Sequence, residues 1–203
     1  MGRHPGAVLV ALAIVAVVPG CSETPSSPLV LFDGRSLEGW SQAGPGGFDV
    51  VDGTAQTRDG MGLLWYSARE FTDFELRLEW RVSAATDNSG VFLRFPDPGD
   101  DPWVAVDQGY EVQINDNPDG DPQKTSAIYN VAEPLEAASR PVGEWNDFRI
   151  RVVGQHYEVW LNGTLVNDLE STDPARGPRG YVGLQNHDPG TRTRFRAITV
   201  TEL

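Results

Sequence analysis

In the stretch Phe74-Glu75-Leu76-Arg77-Leu78-Glu79-Trp80-Arg81 every second residue is large and apolar and every other one is charged. Side chains on a strand alternate between its two faces, so Phe74, Leu76, Leu78 and Trp80 share one face and the four charges share the other. The stretch predicts a half-buried β-strand. Downstream, short runs of similar character recur at residues 90–95, 110–115, 148–153, 156–161, 164–167, 181–185 and 195–201, each broken by Gly, Pro, Asn or Asp. Residues 133–139 read as a helical turn at most, and no amphipathic helix of useful length interrupts the series. Many short strands separated by turn residues predict an all-β sandwich of two antiparallel sheets. Asn162-Gly163 between two runs is the strongest short hairpin signal, because a type I′ turn needs positive φ at both central positions.

Upstream the character changes. Arg3 precedes an apolar run over residues 7–18, followed by small residues and Cys21. About a dozen apolar residues are too few for a membrane-spanning helix, which needs roughly 20, and the pattern is that of an export signal. Val18-Pro19-Gly20-Cys21 resembles a bacterial lipobox with Pro19 off-pattern; the alternative is an ordinary cleaved signal with a spare thiol. The expected organisation is a signal over 1–20, a lipid-anchored Ser/Pro tether over 21–28 with Cys21 as the lipidated residue, and one folded domain over 29–203. The chain is then exported and held at a membrane by its anchor alone, in the periplasm or at the cell surface. As the only cysteine, Cys21 leaves no intrachain disulfide to form.

Sixteen basic residues stand against twenty-nine acidic ones, a net charge of −13. Such a surface disfavours nucleic acid, which selects for Lys and Arg, and fits neutral ligands better. Six Trp and five Tyr point the same way, since flat aromatic faces pack against sugar rings as well as inside cores. HExxH, phosphate-loop, GxSxG, Cys-based zinc and dinucleotide motifs do not occur, which removes those enzyme classes.

Alternation also sorts the polar residues. In 110–115 it puts Glu111, Gln113 and Asn115 on one face, either solvated or lining a groove. Gln185 and His187 share a face near 181–187. Arg94 lies in an otherwise apolar run, a costly place for a guanidinium without a partner, and is expected to face the same groove. Three polar faces from three strands would make one sugar-sized site. His187 competes only with His156, read as a turn residue, for an acid–base role; the alternative is an exposed loop residue. Asp87-Asn88-Ser89-Gly90 and Asp116-Asn117-Pro118-Asp119 read as turn chemistry or as calcium loops.

Several ordered motifs carry a resemblance: Leu31-Phe32-Asp33-Gly34 with Leu37-Glu38-Gly39-Trp40, Asn88-Ser89-Gly90-Val91-Phe92-Leu93-Arg94, Tyr110-Glu111-Val112-Gln113, Pro141-Val142-Gly143-Glu144-Trp145-Asn146, Leu161-Asn162-Gly163, Gly183-Leu184-Gln185-Asn186-His187 and Phe195-Arg196-Ala197-Ile198. Together they resemble the 3-keto-disaccharide hydrolase family across the whole mature domain. The resemblance implies a concanavalin A-like jelly roll whose concave sheet holds the ligand. It also implies cleavage of 3-keto-glycosides by C2 proton abstraction, elimination and water addition. In those terms His187 and Glu111 are the acid–base candidates, and Arg94 or a bound divalent cation stabilises the enolate oxygen. Asn88, Gln113, Gln185 and Asn115 hold sugar hydroxyls, and a separate sugar 3-oxidoreductase supplies the ketone. The chain departs from the family at Asn186, where an acidic residue is common, and in the longer turn after His187. The rivals are a non-catalytic carbohydrate-binding module, a two-carboxylate glycosidase whose ExDxxE spacing residues 111–116 lack, and an adhesion lipoprotein.

Overall fold

The computed structural model describes residues 1–2 and 27–203. Residues 3–20 of the expected export signal, Cys21 and all but the end of the tether lie outside the described residues. The fold begins at β1 (Leu29–Phe32), β2 (Trp40–Ala43), β3 (Gly47–Val51), β4 (Thr54–Arg58) and β5 (Gly62–Tyr66). It continues through β6 (Phe74–Arg81), β7 (Asn88–Phe95), the short helix α1 (Trp103–Gln108) and β8 (Tyr110–Asn115). The last five strands are β9 (Asn146–Val153), β10 (His156–Leu161), β11 (Thr164–Glu170), β12 (Tyr181–Asn186) and β13 (Arg194–Glu202).

They form two antiparallel sheets, the sandwich expected from the alternation. The larger runs β11-β10-β9-β6-β13-β4-β3, with β1 also on β13, and the smaller runs β2-β5-β12-β7-β8. β6 behaves as its sequence demands: Phe74, Leu76, Leu78 and Trp80 are buried at 1% exposure or less, and the charged residues between them are not. Those side chains meet Val91, Leu93, Tyr110, Val112, Ile114, Val182 and Leu184 of the smaller sheet in one core. Each large apolar group removed from water there contributes about 1.5–3 kcal/mol. Asn162 and Gly163 both take positive φ, 52° and 87°, between Leu161 and its cross-strand partner Thr164, as a type I′ hairpin requires.

A second, smaller apolar cluster lies on the outer face of the smaller sheet: Ala43, Leu63, Trp65, Phe92 and Phe95, capped by Ala105 of α1. β8 is the last strand of that sheet, yet its outer edge is not bare. Thr125 and Ser126 donate backbone hydrogen bonds to Asn115 and Gln113, Gln113 donates to Ala127, and Tyr129 donates to Glu111.

At Arg94 the structure corrects the sequence reading. Tyr181 pairs with Phe95 and Val182 with Leu93, so Arg94 is an extra residue in the β7–β12 ladder, with φ of 54°. A bulge shifts the alternation by one. Phe95 therefore joins Phe92 on the outer face, while the Arg94 side chain turns inward at 1% exposure. Its guanidinium donates to the carbonyls of Thr72 and Gly154, to the Tyr157 hydroxyl at 3.4 Å and to Asp73 Oδ1 at 3.0 Å. Arg94 is a structural clasp between loops at one end of the sandwich and does not reach the groove.

Candidate functional site

β12, β7 and β8 are neighbours, so the polar faces of β8 and β12 converge, with β7 contributing Asn88 in place of Arg94. They floor an open cavity of about 510 Å³ on the outer face of the smaller sheet, and Asn88, Glu111, Gln113, Asn115, Gln185 and His187 all line it. Six of the seven residues expected at the site are thus together, and Arg94 is the exception. Trp103 and Val106 of α1 wall the cavity at one side, and Tyr129, Asn117, Asp119 and Asp121 close it at another. Trp103 carries no signal in the chain's pattern, because α1 is six residues long with Pro102 at its start and no side-chain cap. Its indole is 55% exposed, a free flat face beside a polar cavity.

Glu111 is the one buried carboxyl among the residues lining the cavity. It is 4% exposed, and burial pushes its carboxyl up from 4.5 to about 8, with the neighbouring Gln185 side chain pulling the other way. Removing a carboxylate from water disfavours its charged form. Oε1 has no hydrogen-bond partner. The side chain has room only because residue 90 is glycine: a Cβ there would stand 2.3 Å from Glu111 Oε1 and 2.8 Å from its Cγ. Asn88 Oδ1 and Gln185 Oε1 are likewise buried without a partner. Three buried polar atoms without partners around one cavity are costly unless a bound molecule supplies the missing hydrogen bonds.

The other two amides present the opposite polarity. Gln113 Oε1 accepts from the Ile114 N–H at 3.2 Å, and Asn115 Oδ1 accepts from the Asn117 N–H at 3.1 Å. With their carbonyls engaged, both NH₂ groups remain to donate. His187 is exposed at the cavity mouth, its Nδ1 3.3 Å from Asp188 Oδ2. Burial would raise the Asp188 carboxyl, but the Gly190 N–H and the His187 ring outweigh it and hold Asp188 below the usual range. Asp188 stays ionised beside the imidazole and fixes one side of it. Asn186, between Gln185 and His187, points the other way and donates to the Arg58 carbonyl at 2.6 Å, tying β12 to the larger sheet.

The Asx-rich loops are occupied by turn chemistry. Asp87 accepts from the Ser83 N–H and hydroxyl, from Ala84 N–H and from Arg192 N–H, and Asp119 accepts from Lys124 at 2.7 Å. Among the described residues no group of three or more His, Cys, Asp or Glu side chains is placed to hold a metal ion. The acidic residues along the cavity, Glu111, Asp119, Asp121 and Asp188, do not converge three at a time on one point. His156 opens β10 and pairs with Asp168 at 2.6 Å. It lines no part of this cavity.

Residues 28–201 match the profile of the 3-keto-alpha-glucoside-1,2-lyase-like domain. The chain is 26% identical to a 3-keto-disaccharide hydrolase of Bacteroides thetaiotaomicron, over 86% of this chain and 78% of that one. A crystal structure from Parabacteroides distasonis, of a protein assigned as a glycosyl hydrolase, superposes with a TM-score of 0.74 at 26% identity, covering 88% of this chain and all of that one. A carbohydrate binding module from Bacillus subtilis shares the fold at a TM-score of 0.58 and 15% identity, over 81% of this chain and 96% of its own.

Proposed function

The chain belongs to the 3-keto-alpha-glucoside-1,2-lyase-like family, and from that membership and the cavity just described we propose that it cleaves 3-keto-glycosides by elimination followed by water addition. Glu111 carries the reading: a buried carboxyl with an unpartnered oxygen, raised to about 8, facing an open polar cavity. At neutral pH it is mostly protonated and serves as a general acid.

A C3 ketone acidifies the C2 hydrogen. His187 takes that proton, and the C–H pair becomes the C2–C3 double bond of an enolate while the carbonyl pair moves to oxygen. Collapse of the enolate restores the ketone, makes a C1–C2 double bond and breaks the C1–O bond, as Glu111 gives its proton to the leaving oxygen. Water then adds at C1, returning a proton to the Glu111 carboxylate, and His187 returns one to C2. The sum is hydrolysis with no change of oxidation state. The NH₂ groups of Gln113 and Asn115 supply the enolate-stabilising donors, the role Arg94 is too remote to fill. Asn88 and Gln185 accept from sugar hydroxyls, and Trp103 offers a stacking face.

The ketone itself requires prior oxidation of a C3 hydroxyl by a separate oxidoreductase. Residues 18–21 support export and lipid attachment at Cys21, which incorporation of labelled fatty acid, abolished in Cys21→Ser, would test.

The deciding experiment incubates the folded domain with a 3-keto-glucoside and with its unoxidised parent and follows aglycone release. Release from the keto form alone, lost in Glu111→Gln, supports the proposal. Release from the parent favours a conventional glycosidase, and binding without release favours a carbohydrate-binding module.

A further inference from the structure

Across the outer face of β6 and β13, Glu75 and Arg77 stand opposite Thr201 and Thr199. Arg196 stands opposite Glu79 and forms an ion pair at 2.5 Å, but two residues on Arg194 stands directly opposite Arg81. Like charges opposite one another are destabilising; Arg77 and Arg149, also opposite one another, are bridged by Glu75 at 2.7 and 2.8 Å, whereas among the described residues no carboxylate bridges Arg81 and Arg194. Instead, Arg81, Arg192 and Arg194 line one cavity of about 240 Å³ together with Val82, Ser83 and Gly143. Of these three, only Arg194 forms an ion pair among the described residues, at 3.6 Å to Asp52, whose side chain is 81% exposed.

Two of the guanidiniums are held in place without being neutralised. Arg81 lies over the Trp145 ring, 4.7 Å from its centroid, and Arg196 lies over the same ring at 3.9 Å. Arg192 Nη1 donates to the carbonyls of Pro189 and Thr191 at 3.0 and 2.8 Å, which leaves its remaining N–H groups free. Fixed, unneutralised guanidiniums around a small cavity are the arrangement that binds oxyanions, because the planar fork matches carboxylate, sulfate or phosphate oxygens.

We propose that this cavity is an oxyanion-binding site, separate from the groove of Glu111. The two cavities have no lining residue in common but flank the same two loops: Asp87 ties the loop after β6 to Arg192, and those loops carry Thr86, His187 and Asp188 on the groove side. Occupancy neutralises the Arg81–Arg194 pair and fixes the loop that carries His187. The oxyanion is either a free inorganic ion or the acidic group of a saccharide.

The test measures the thermal midpoint of the folded domain in sodium sulfate against sodium chloride at matched ionic strength, then in methyl glucuronide against methyl glucoside. The expected result is a saturable rise of about 5 °C, lost in Arg81→Gln/Arg192→Gln. A rise with sulfate but not glucuronide assigns a free ion, and a rise with glucuronide beyond the glucoside assigns a saccharide group; both support the site. Should the double variant fold poorly, single Arg192→Gln, whose side chain is exposed, carries the same comparison. No saturable rise with either probe, or the same rise in wild type and variant, overturns the proposal.

Discussion

Replacing Glu111 by glutamine keeps the side-chain shape and removes the titrating proton. In the native protein the carboxyl is raised from 4.5 to about 8 by burial, so between those values the folded state holds a proton that the unfolded chain has released. Stability therefore falls as pH rises through that window and levels off above pH 8. At 1.36 kcal/mol per pH unit the loss amounts to roughly 5 kcal/mol, a large part of the 5–15 kcal/mol that holds a typical domain together. Glu111→Gln should match wild type within about 1 kcal/mol at pH 4.5 and exceed it by several kcal/mol at pH 9. Urea unfolding of both proteins at the two pH values measures this directly. As general acid Glu111 must be protonated, so wild-type kcat/KM should fall as pH rises through about 8, and the variant should lose about 10²–10⁴-fold. Unfolding free energies that differ by the same amount at both pH values would refute the burial argument, whatever the effect on turnover.

Gly90→Ala should lower kcat sharply while costing about 1–3 kcal/mol of stability, because the added methyl displaces the Glu111 carboxyl; paired kinetics and melting curves separate the two effects. Arg94→Gln should cost about 3–5 kcal/mol in denaturant unfolding by stripping Asp73 and the Thr72 and Gly154 carbonyls of their partner, yet leave KM near wild type in the protein that folds. Trp103→Ala should raise KM about 5–10-fold, from loss of a stacking contact of about 1 kcal/mol, and leave the melting midpoint within about 2 °C, since the indole is largely exposed.

How far the sequence could be read depended on whether a segment has one face in water. β6 and β8 alternate and were visible as strands to the residue, because one set of side chains enters the core and the other meets solvent or the groove. β5 has four buried residues in a row: its inner face meets the core and its outer face meets the cluster under α1, so no period shows. β1 to β4 are four or five residues each, too short for a pattern. Alternation along β8 and along β12 into His187 pointed to five of the seven site residues, since parity alone decides where Glu111 and His187 point, and Asn88 came from the motif that opens β7. Parity also misplaced Arg94, because one extra residue at a bulge reverses it and nothing in Gly90-Val91-Phe92-Leu93-Arg94-Phe95 announces the insertion. The orphaned acceptors at Asn88, Glu111 and Gln185 are properties of three-dimensional burial and have no counterpart in the chain's order.

The segment 125–129 that bonds to β8 has a bearing on the fate of the protein when that loop fails. An uncovered last strand offers a row of free N–H and C=O groups to any extended chain nearby and is a template for association. Here the covering segment also brings Tyr129 to the cavity wall. A substitution that loosens residues 125–129 would open the groove and expose the edge together, so its carriers should aggregate as they lose turnover, and the aggregation would be reversed by a short peptide able to occupy the vacated edge.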